Sequence, residues 1–385
     1  MTKSYEALNH RHTKVHLEKG GPSLNVRRLL TTTAISSVIL LSTVLVNPAE
    51  AVVLNCGDII STPNTTVVLT ADVSCVGSLE VFGVAIVASG VELDLNGHTI
   101  RGDGFRPEDQ TSNIGVYVTG GGNNVTVKNG TVTNFNSGVY FEQVTGNTAT
   151  TLRLVDNIGP DIQQIFGEGL QVFQGGNHTI TSNHVIHNGP FAGIVAYGPT
   201  NNNTITSNQV LNNNILDPSG HHGEGGPIMQ DIGIWLVNLS SNPANTTTNN
   251  TIQTNAVSGN GLDGVQVAAF THGNFVRTNS ITNNGFGQPA GNGFRDGDGV
   301  AIFGSSNQVQ SNQVIQNGGN GIAVELQGSP NPVNGKNNTI TGNTAFNNGG
   351  AANIPGFDLF DGNVDCDGNV WASNNEGTKN RACIN

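Results

Sequence analysis

One motif returns along the second half of the chain: Asn, two or three residues, Ile, two residues, Asn, one residue, Val, two residues, Asn. It reads NHTITSNHVIHN from Asn177, NNTITSNQVLNN from Asn202 and NNTIQTNAVSGN from Asn249. It returns as GNFVRTNSITNN from Gly273, SNQVQSNQVIQN from Ser306 and NNTITGNTAFNN from Asn337. Repeats this short cannot each bury an apolar face alone, so they must stack on one another, which makes the chain a solenoid.

The spacing gives the length of one coil. Ile180 to Ile205 is 25 residues and Ile252 to Val276 is 24, whereas Ile205 to Ile252 is 47 and Val276 to Val309 is 33. A coil of about 24 residues with no helical period must be built from strands. Three short strands fit each coil: one around Ile180, one around Val185, and a third that starts with Gly, as in Gly193-Ile194-Val195-Ala196-Tyr197. Period-2 alternation turns Ile194 and Ala196 inward and Val195 and Tyr197 outward.

The Asn spacing has a physical reason. Asn tolerates a left-handed corner, and its amide can bond the same Asn one coil on. Asn183, Asn208, Asn255, Asn279, Asn312 and Asn343 make one column; Asn188, Asn213, Asn260, Asn284, Asn317 and Asn348 make a second, always five residues later. These Asn belong to the scaffold and say nothing of chemistry.

Arg27 and Arg28 precede an apolar run from Leu29 to Val46, which ends in Ala49-Glu50-Ala51. That is the pattern of a secretory signal (1–51) cleaved after Ala51. It predicts a secreted, periplasmic or cell-surface product with no integral membrane segment after cleavage. Beyond residue 51, nine basic residues face 24 acidic ones, a net charge of −15. Nucleic acid is therefore excluded as a partner, since phosphate binding needs basic stripes. The four cysteines form one pair near each end of the exported part. This points to disulfides Cys56–Cys75 and Cys366–Cys383, with no C-x-x-C spacing to suggest a metal.

The motif, the three-strand coil and the Asn columns resemble the right-handed parallel β-helix proteins of the pectate-lyase-like superfamily, with their PbH1 repeats. The resemblance covers residues 90–375. It implies an all-β solenoid of about 9–10 coils: an N-terminal cap (52–90), the helix (91–365) and a C-terminal cap (366–385). A monomer is expected.

Insertions in a solenoid mark loops, often on the binding face. Here Ile158–Glu168, Ile215–Ile232 and Gly285–Asp298 precede the third strand, and Leu239–Thr248 and Gly328–Lys336 follow it. The third strand's outer face would then be the floor of a groove. Tyr117, Tyr140, Gln171, Val195, Trp235, Gln266, Ala301 and Ala323 fall on it two residues after the Gly. Glu142, Phe173, Tyr197, Val237, Ala268, Phe303 and Glu325 fall on it four residues after. Tyr140, Phe173, Tyr197, Trp235 and Phe303 are the rings expected to stack on sugars, with packing under the loops as the alternative.

Two segments carry candidate chemistry. Gly291 to Gly299 holds Arg295, Asp296 and Asp298, and Asp263 takes the position of Asp298 one coil earlier. Stacked carboxylates repel unless protonated or bridged, and calcium is a natural bridge. The family resemblance implies Arg295 as base and Asp263, Asp296 and Asp298 as calcium ligands, with an Arg–Asp corner turn as the alternative. The segment Asp217-Pro-Ser-Gly-His-His-Gly-Glu224 resembles, with interruptions, the Asp-Pro-His-Glu motif of mannuronan C5-epimerases. It offers His221, His222 and Glu224 for acid–base work. The tail from Asp361 to Gly368 alternates oxygen ligands like a calcium loop, or forms an acidic cap turn. Together these imply an extended polysaccharide as partner and a lyase or C5-epimerase, less a glycoside hydrolase. The rival is a non-catalytic carbohydrate-binding or surface protein.

Overall fold

A computed structural model describes residues 49–104, 113–159, 167–213, 231–238, 246–286, 297–327, 333–350 and 356–385. Within them the chain winds as a stack of coils held by parallel strand pairing. The first two strands of every coil share one sheet, and the third strands form a second sheet with eleven rungs on its main path. In the central coils the register follows the repeat: Ile180 pairs with Ile205, Ile205 with Ile252, Ile252 with Val276 and Val276 with Val309. The insertions therefore leave the strands in phase.

The core is the bore of the coil. Ile180, Val185, Ile194 and Ala196 are fully buried in one cluster that runs from Ile60 to Ile384. Val195 and Tyr197 pack outside it, in a separate cluster, as the alternation predicts. Each fully buried Ile contributes roughly 2–3 kcal/mol of apolar transfer. The Gly at the head of each third strand is required by space. A Cβ on Gly264 would lie 2.5 Å from Ile281, 2.7 Å from Asn284 Nδ2 and 2.8 Å from the Gly299 carbonyl.

Both Asn columns are continuous ladders. In the first, each Asn Oδ1 accepts the backbone N–H and the amide Nδ2 of the Asn one coil earlier. Asn208 to Asn255 measures 2.9 and 3.0 Å, and Asn255 to Asn279 repeats this. The remaining Nδ2 hydrogen goes to a strand carbonyl, as from Asn255 to Ile205 at 2.9 Å. All four bonding positions of the amide are thus used inside a buried corner.

The structure adds a third ladder that the two-column reading missed. His178, Asn203, Asn250, Asn274, Asn307, Asn338 and Asn369 continue it coil by coil. The ladder Asn are also not the left-handed residues. That conformation falls one position earlier, at Ser182, Ser207 and Thr254, at His187 and Asn212, and at Asn177, Asn202 and Asn249. The Asn-Asn doublets thus have two jobs: the first residue turns the corner and the second bonds the next coil.

The coil extends beyond its expected limits at both ends. Glu50–Val52 already pairs with Val67–Leu69, so Ala51 lies inside the first rung. Val370–Ala372 pairs with Thr339–Thr341 and Asn375–Glu376 with Thr344–Ala345, so the tail is a further coil. Both expected disulfides are present, with Cα–Cα distances of 5.1 and 6.2 Å. Among the described residues no helix is long and apolar enough to cross a membrane.

Candidate functional site

The outer face of the third-strand sheet has the composition expected of it. Tyr117, Tyr140, Gln171, Val195, Trp235, Gln266, Ala301 and Ala323 occupy one register column, and Phe360 extends it by a rung. Glu142, Phe173, Tyr197 and Val237 form the neighbouring column.

Exposure divides this floor. Tyr140, Tyr197, Trp235 and Phe303 expose only 6, 7, 4 and 5% of their surface. Tyr197 and Trp235 pack with Val195, Ile232 and Val237 against Phe173 and Phe191, and Phe303 packs with Ala269 and Ala301. The Phe191 and Trp235 rings lie 4.9 Å apart. In the middle of the face these rings are a second apolar core. Of the five rings expected to meet sugar, Phe173 alone is half-buried.

The open part lies toward the N-terminal end. Phe82, Tyr117, Glu142 and Phe173 are all half-buried and stand on four adjacent rungs, Phe82–Ile86, Ile114–Val118, Ser137–Thr145 and Glu168–Gly176. At about 4.8 Å per rung they span roughly 14 Å. The Tyr117 ring stands 6.4 Å from Phe82 and 5.5 Å from Tyr140, and Phe173 stands 5.4 Å from Tyr197. The Tyr117 hydroxyl donates to Glu142 Oε2, which also accepts from Thr119 Oγ1 at 3.0 Å. Burial, then the Glu142 hydrogen bond, pushes the Tyr117 hydroxyl up to about 12. At neutral pH it donates a proton and cannot act as a base. Burial raises Tyr140 and Tyr197 as well.

Asp263 and Asp298 meet on adjacent rungs, and both oxygens of Asp263 and Oδ1 of Asp298 accept hydrogen bonds. Asp263 Oδ1 accepts the backbone N–H groups of Gly297 and Asp298 at 2.9 and 2.8 Å, and Oδ2 accepts Gln266 Nε2 at 2.7 Å. Asp298 Oδ1 accepts the N–H and amide of Asn320 at 2.5 and 3.1 Å. Asn320 Oδ1 accepts the Phe357 N–H at 2.9 Å. These side chains serve as a ladder of the Asn kind, run in the opposite sense. Among the described residues no group of three or more His, Cys, Asp or Glu is placed to hold a metal. Arg295, Asp296, His221, His222 and Glu224 lie outside the described residues.

The acidic tail is divided too. Asp361 points into the bore, where it accepts from Asn363, Asn369 and Trp371, whereas Asp367 pairs with Lys336 at 2.5 Å.

Several polar atoms on the floor have no hydrogen-bond partner among the described residues: both amide atoms of Gln171, Trp235 Nε1 and Gln266 Oε1. Gln171 is fully buried. Gln171 follows Glu168 by three residues, as Gln266 follows Asp263. That recurrence was the available signal for them.

Residues 83–252 match the family model of the right-handed β-helix region. No curated protein matches. Among solved structures, the A-module of the mannuronan C-5 epimerase AlgE4 of Azotobacter vinelandii is 15% identical, with a TM-score of 0.53. The match covers 85% of this chain and 86% of that one. The periplasmic alginate epimerase AlgG is 11% identical at a TM-score of 0.52, over 84% of this chain and 76% of that one. The Dettilon tailspike protein is 15% identical at 0.50, over 84% of this chain and 60% of that one. Identities this low establish the shared fold alone. Parallel coils, Asn ladders and the family match agree: the chain is a right-handed parallel β-helix protein.

Proposed function

We propose that this is an exported protein that binds an extended polysaccharide along the outer face of its third-strand sheet. The observation that carries the reading is the open row Phe82–Tyr117–Glu142–Phe173. Half-exposed rings on successive rungs suit stacking on sugar faces, and a carboxylate between them accepts sugar hydroxyls. Two disulfides suit an oxidising compartment outside the cytoplasm. The neighbours of like fold include a mannuronan C-5 epimerase and an alginate epimerase, which is compatible with a glycan partner. Since one fold hosts many activities, the site must carry the argument.

Lyase or epimerase chemistry is the finer reading. It requires a base and a group to neutralise a uronate. Tyr117, held protonated, supplies neither; the candidates Arg295, His221, His222 and Glu224 would have to supply both. Calcium, if used, would enlist Asp296 beside Asp263 and Asp298. The reading is tested by native gel retardation in a panel of polysaccharides, combined with ultraviolet detection of unsaturated products. Retardation by at least one polymer is expected. Unchanged mobility in every polymer would sink it.

A further inference from the structure

We infer that the open row takes an amino sugar, whose ammonium group pairs with Glu142 beside the rings of Tyr117 and Phe173; this rests on the polysaccharide reading and names the sugar class. Glu142 lies on Ser137–Thr145, in register with Phe173 on the next rung. Its Oε2 accepts the Tyr117 and Thr119 hydroxyls. Its Oε1 accepts no hydrogen bond among the described residues, and the side chain is only half-buried. One oxygen of the carboxylate is therefore left for a ligand.

The charge of Glu142 also lacks a counter-charge. Its two hydroxyl partners are neutral. No Lys or Arg stands on the four rungs of the row, Phe82–Ile86, Ile114–Val118, Ser137–Thr145 and Glu168–Gly176. Arg101, Lys128 and Arg153, the described basic residues that flank these rungs in sequence, lie on the other sheet. A carboxylate partly withdrawn from water is stabilised most by a donor that brings positive charge.

The rings select the same ligand. Tyr117 and Phe173 are half-buried on either side of Glu142, one rung before it and one rung after. An aromatic face attracts a cation, and its apolar surface receives the face of a sugar ring. An amino sugar brings both to one place. A hydroxyl or an acetamide offers Oε1 a hydrogen bond but no charge.

The test uses three tetramers that share one backbone: chitosan tetramer with free amines, chitin tetramer with acetylated ones, and cellotetraose with hydroxyls. Binding to the exported chain is measured by titration calorimetry below the pKa of the amine. The net charge of −15 beyond residue 51 attracts any polycation, so Asp365→Asn, an exposed site in the C-terminal tail, serves as the control for overall charge. The chitosan tetramer should bind about three- to fivefold more tightly than the other two, the worth of a half-exposed ion pair. Glu142→Gln should abolish that preference and Asp365→Asn should keep it. No preference for the amine, a preference that survives Glu142→Gln, or an equal loss in both variants overturns the inference and leaves the polysaccharide reading standing. If no tetramer binds while another polymer retards the protein in a gel, the inference falls alone. If no polymer binds at all, the polysaccharide reading falls and the inference with it.

Discussion

His178 Nδ1 accepts the backbone N–H of Asn147 at 3.1 Å, where every later coil of this ladder uses an Asn oxygen. The imidazole is buried and stacks 5.3 Å from the Phe141 ring. Because Nδ1 accepts, the ring is neutral with its proton on Nε2. Burial holds its pKa down at about 4, against an ordinary value of 6.5. The unfolded chain therefore binds this proton more readily than the folded one. The stability tied to the neutral ring is complete above pH 6.5, falls as the pH drops toward 4, and changes no further below that. The full effect is about 3 kcal/mol. His178→Asn should supply the regular ladder amide and remove this slope. Urea titrations of both proteins between pH 7 and 4 give the difference, in which the carboxylates common to both cancel. Parallel curves would show that His178 carries no pH dependence.

The ladders make a sharper stability prediction. Asn255→Ala would leave the N–H and Nδ2 of Asn208 unmatched inside the corner and remove the amide bond to the Ile205 carbonyl. Each buried orphan costs about 1–3 kcal/mol, so a loss of about 3 kcal/mol or more is expected. Asn375→Ala, at the exposed start of Asn375–Glu376, should cost less than about 0.5 kcal/mol. Denaturant midpoints measure both, and equal losses would mean the ladder bonds contribute nothing special.

How much of this was legible in the sequence follows from what repeats. Ile180 and Asn208 recur at fixed spacing, so the bore, the register and two ladders could be read directly. The third ladder was hidden because its members follow a varying residue, Asn, Gly or Ser, and because His178 breaks the pattern in the first full copy. The groove face was legible as a column of residues, but its exposure was not. Whether Trp235 meets solvent or Phe191 depends on how non-repeating segments fold over it, and no period encodes that. Asp263 and Asp298 were legible as stacked carboxylates, but the N–H and amide donors that meet them were not, because no period encodes them.

The glycan-binding proposal makes its own demand on Tyr117. Tyr117→Ala removes the ring between Phe82 and Tyr140 and releases Glu142 from its hydroxyl partner. Loss of one stacking ring should weaken glycan binding by about tenfold, given roughly 0.5–1.5 kcal/mol for an aromatic contact beyond the area it buries. Because Tyr117 is half-buried, the fold should survive, which circular dichroism checks. Glu142→Gln, which keeps the shape, should weaken binding less. Unaltered retention of Tyr117→Ala on a polymer that binds the parent protein would move the site away from this row.

The last prediction concerns the C-terminal plug. Asp361 stands in the bore opposite Val324, in the column of Phe141 and Leu236, and is fully buried. Its Oδ1 accepts the N–H and Nδ2 of Asn363 at 2.9 Å each, and Oδ2 accepts Asn369 Nδ2 at 3.0 Å and Trp371 Nε1 at 2.9 Å. The third Asn ladder ends on this carboxylate, as the second ends on Asp358, which accepts from Asn348 at 3.1 and 2.9 Å. An aspartate suits a ladder's end because it accepts on both oxygens and needs no further acceptor of its own. Asp361→Asn turns an NH₂ group toward donors that already point at it, and should cost about 3 kcal/mol. In a solenoid that loss is local, so the last coils should exchange their amide hydrogens faster while those around Ile180 keep their protection. Asp365→Asn, an exposed neighbour, should change neither. Hydrogen exchange resolved along the chain decides the matter: uniform loosening from end to end, or none at all, would show that Asp361 does not act as the plug.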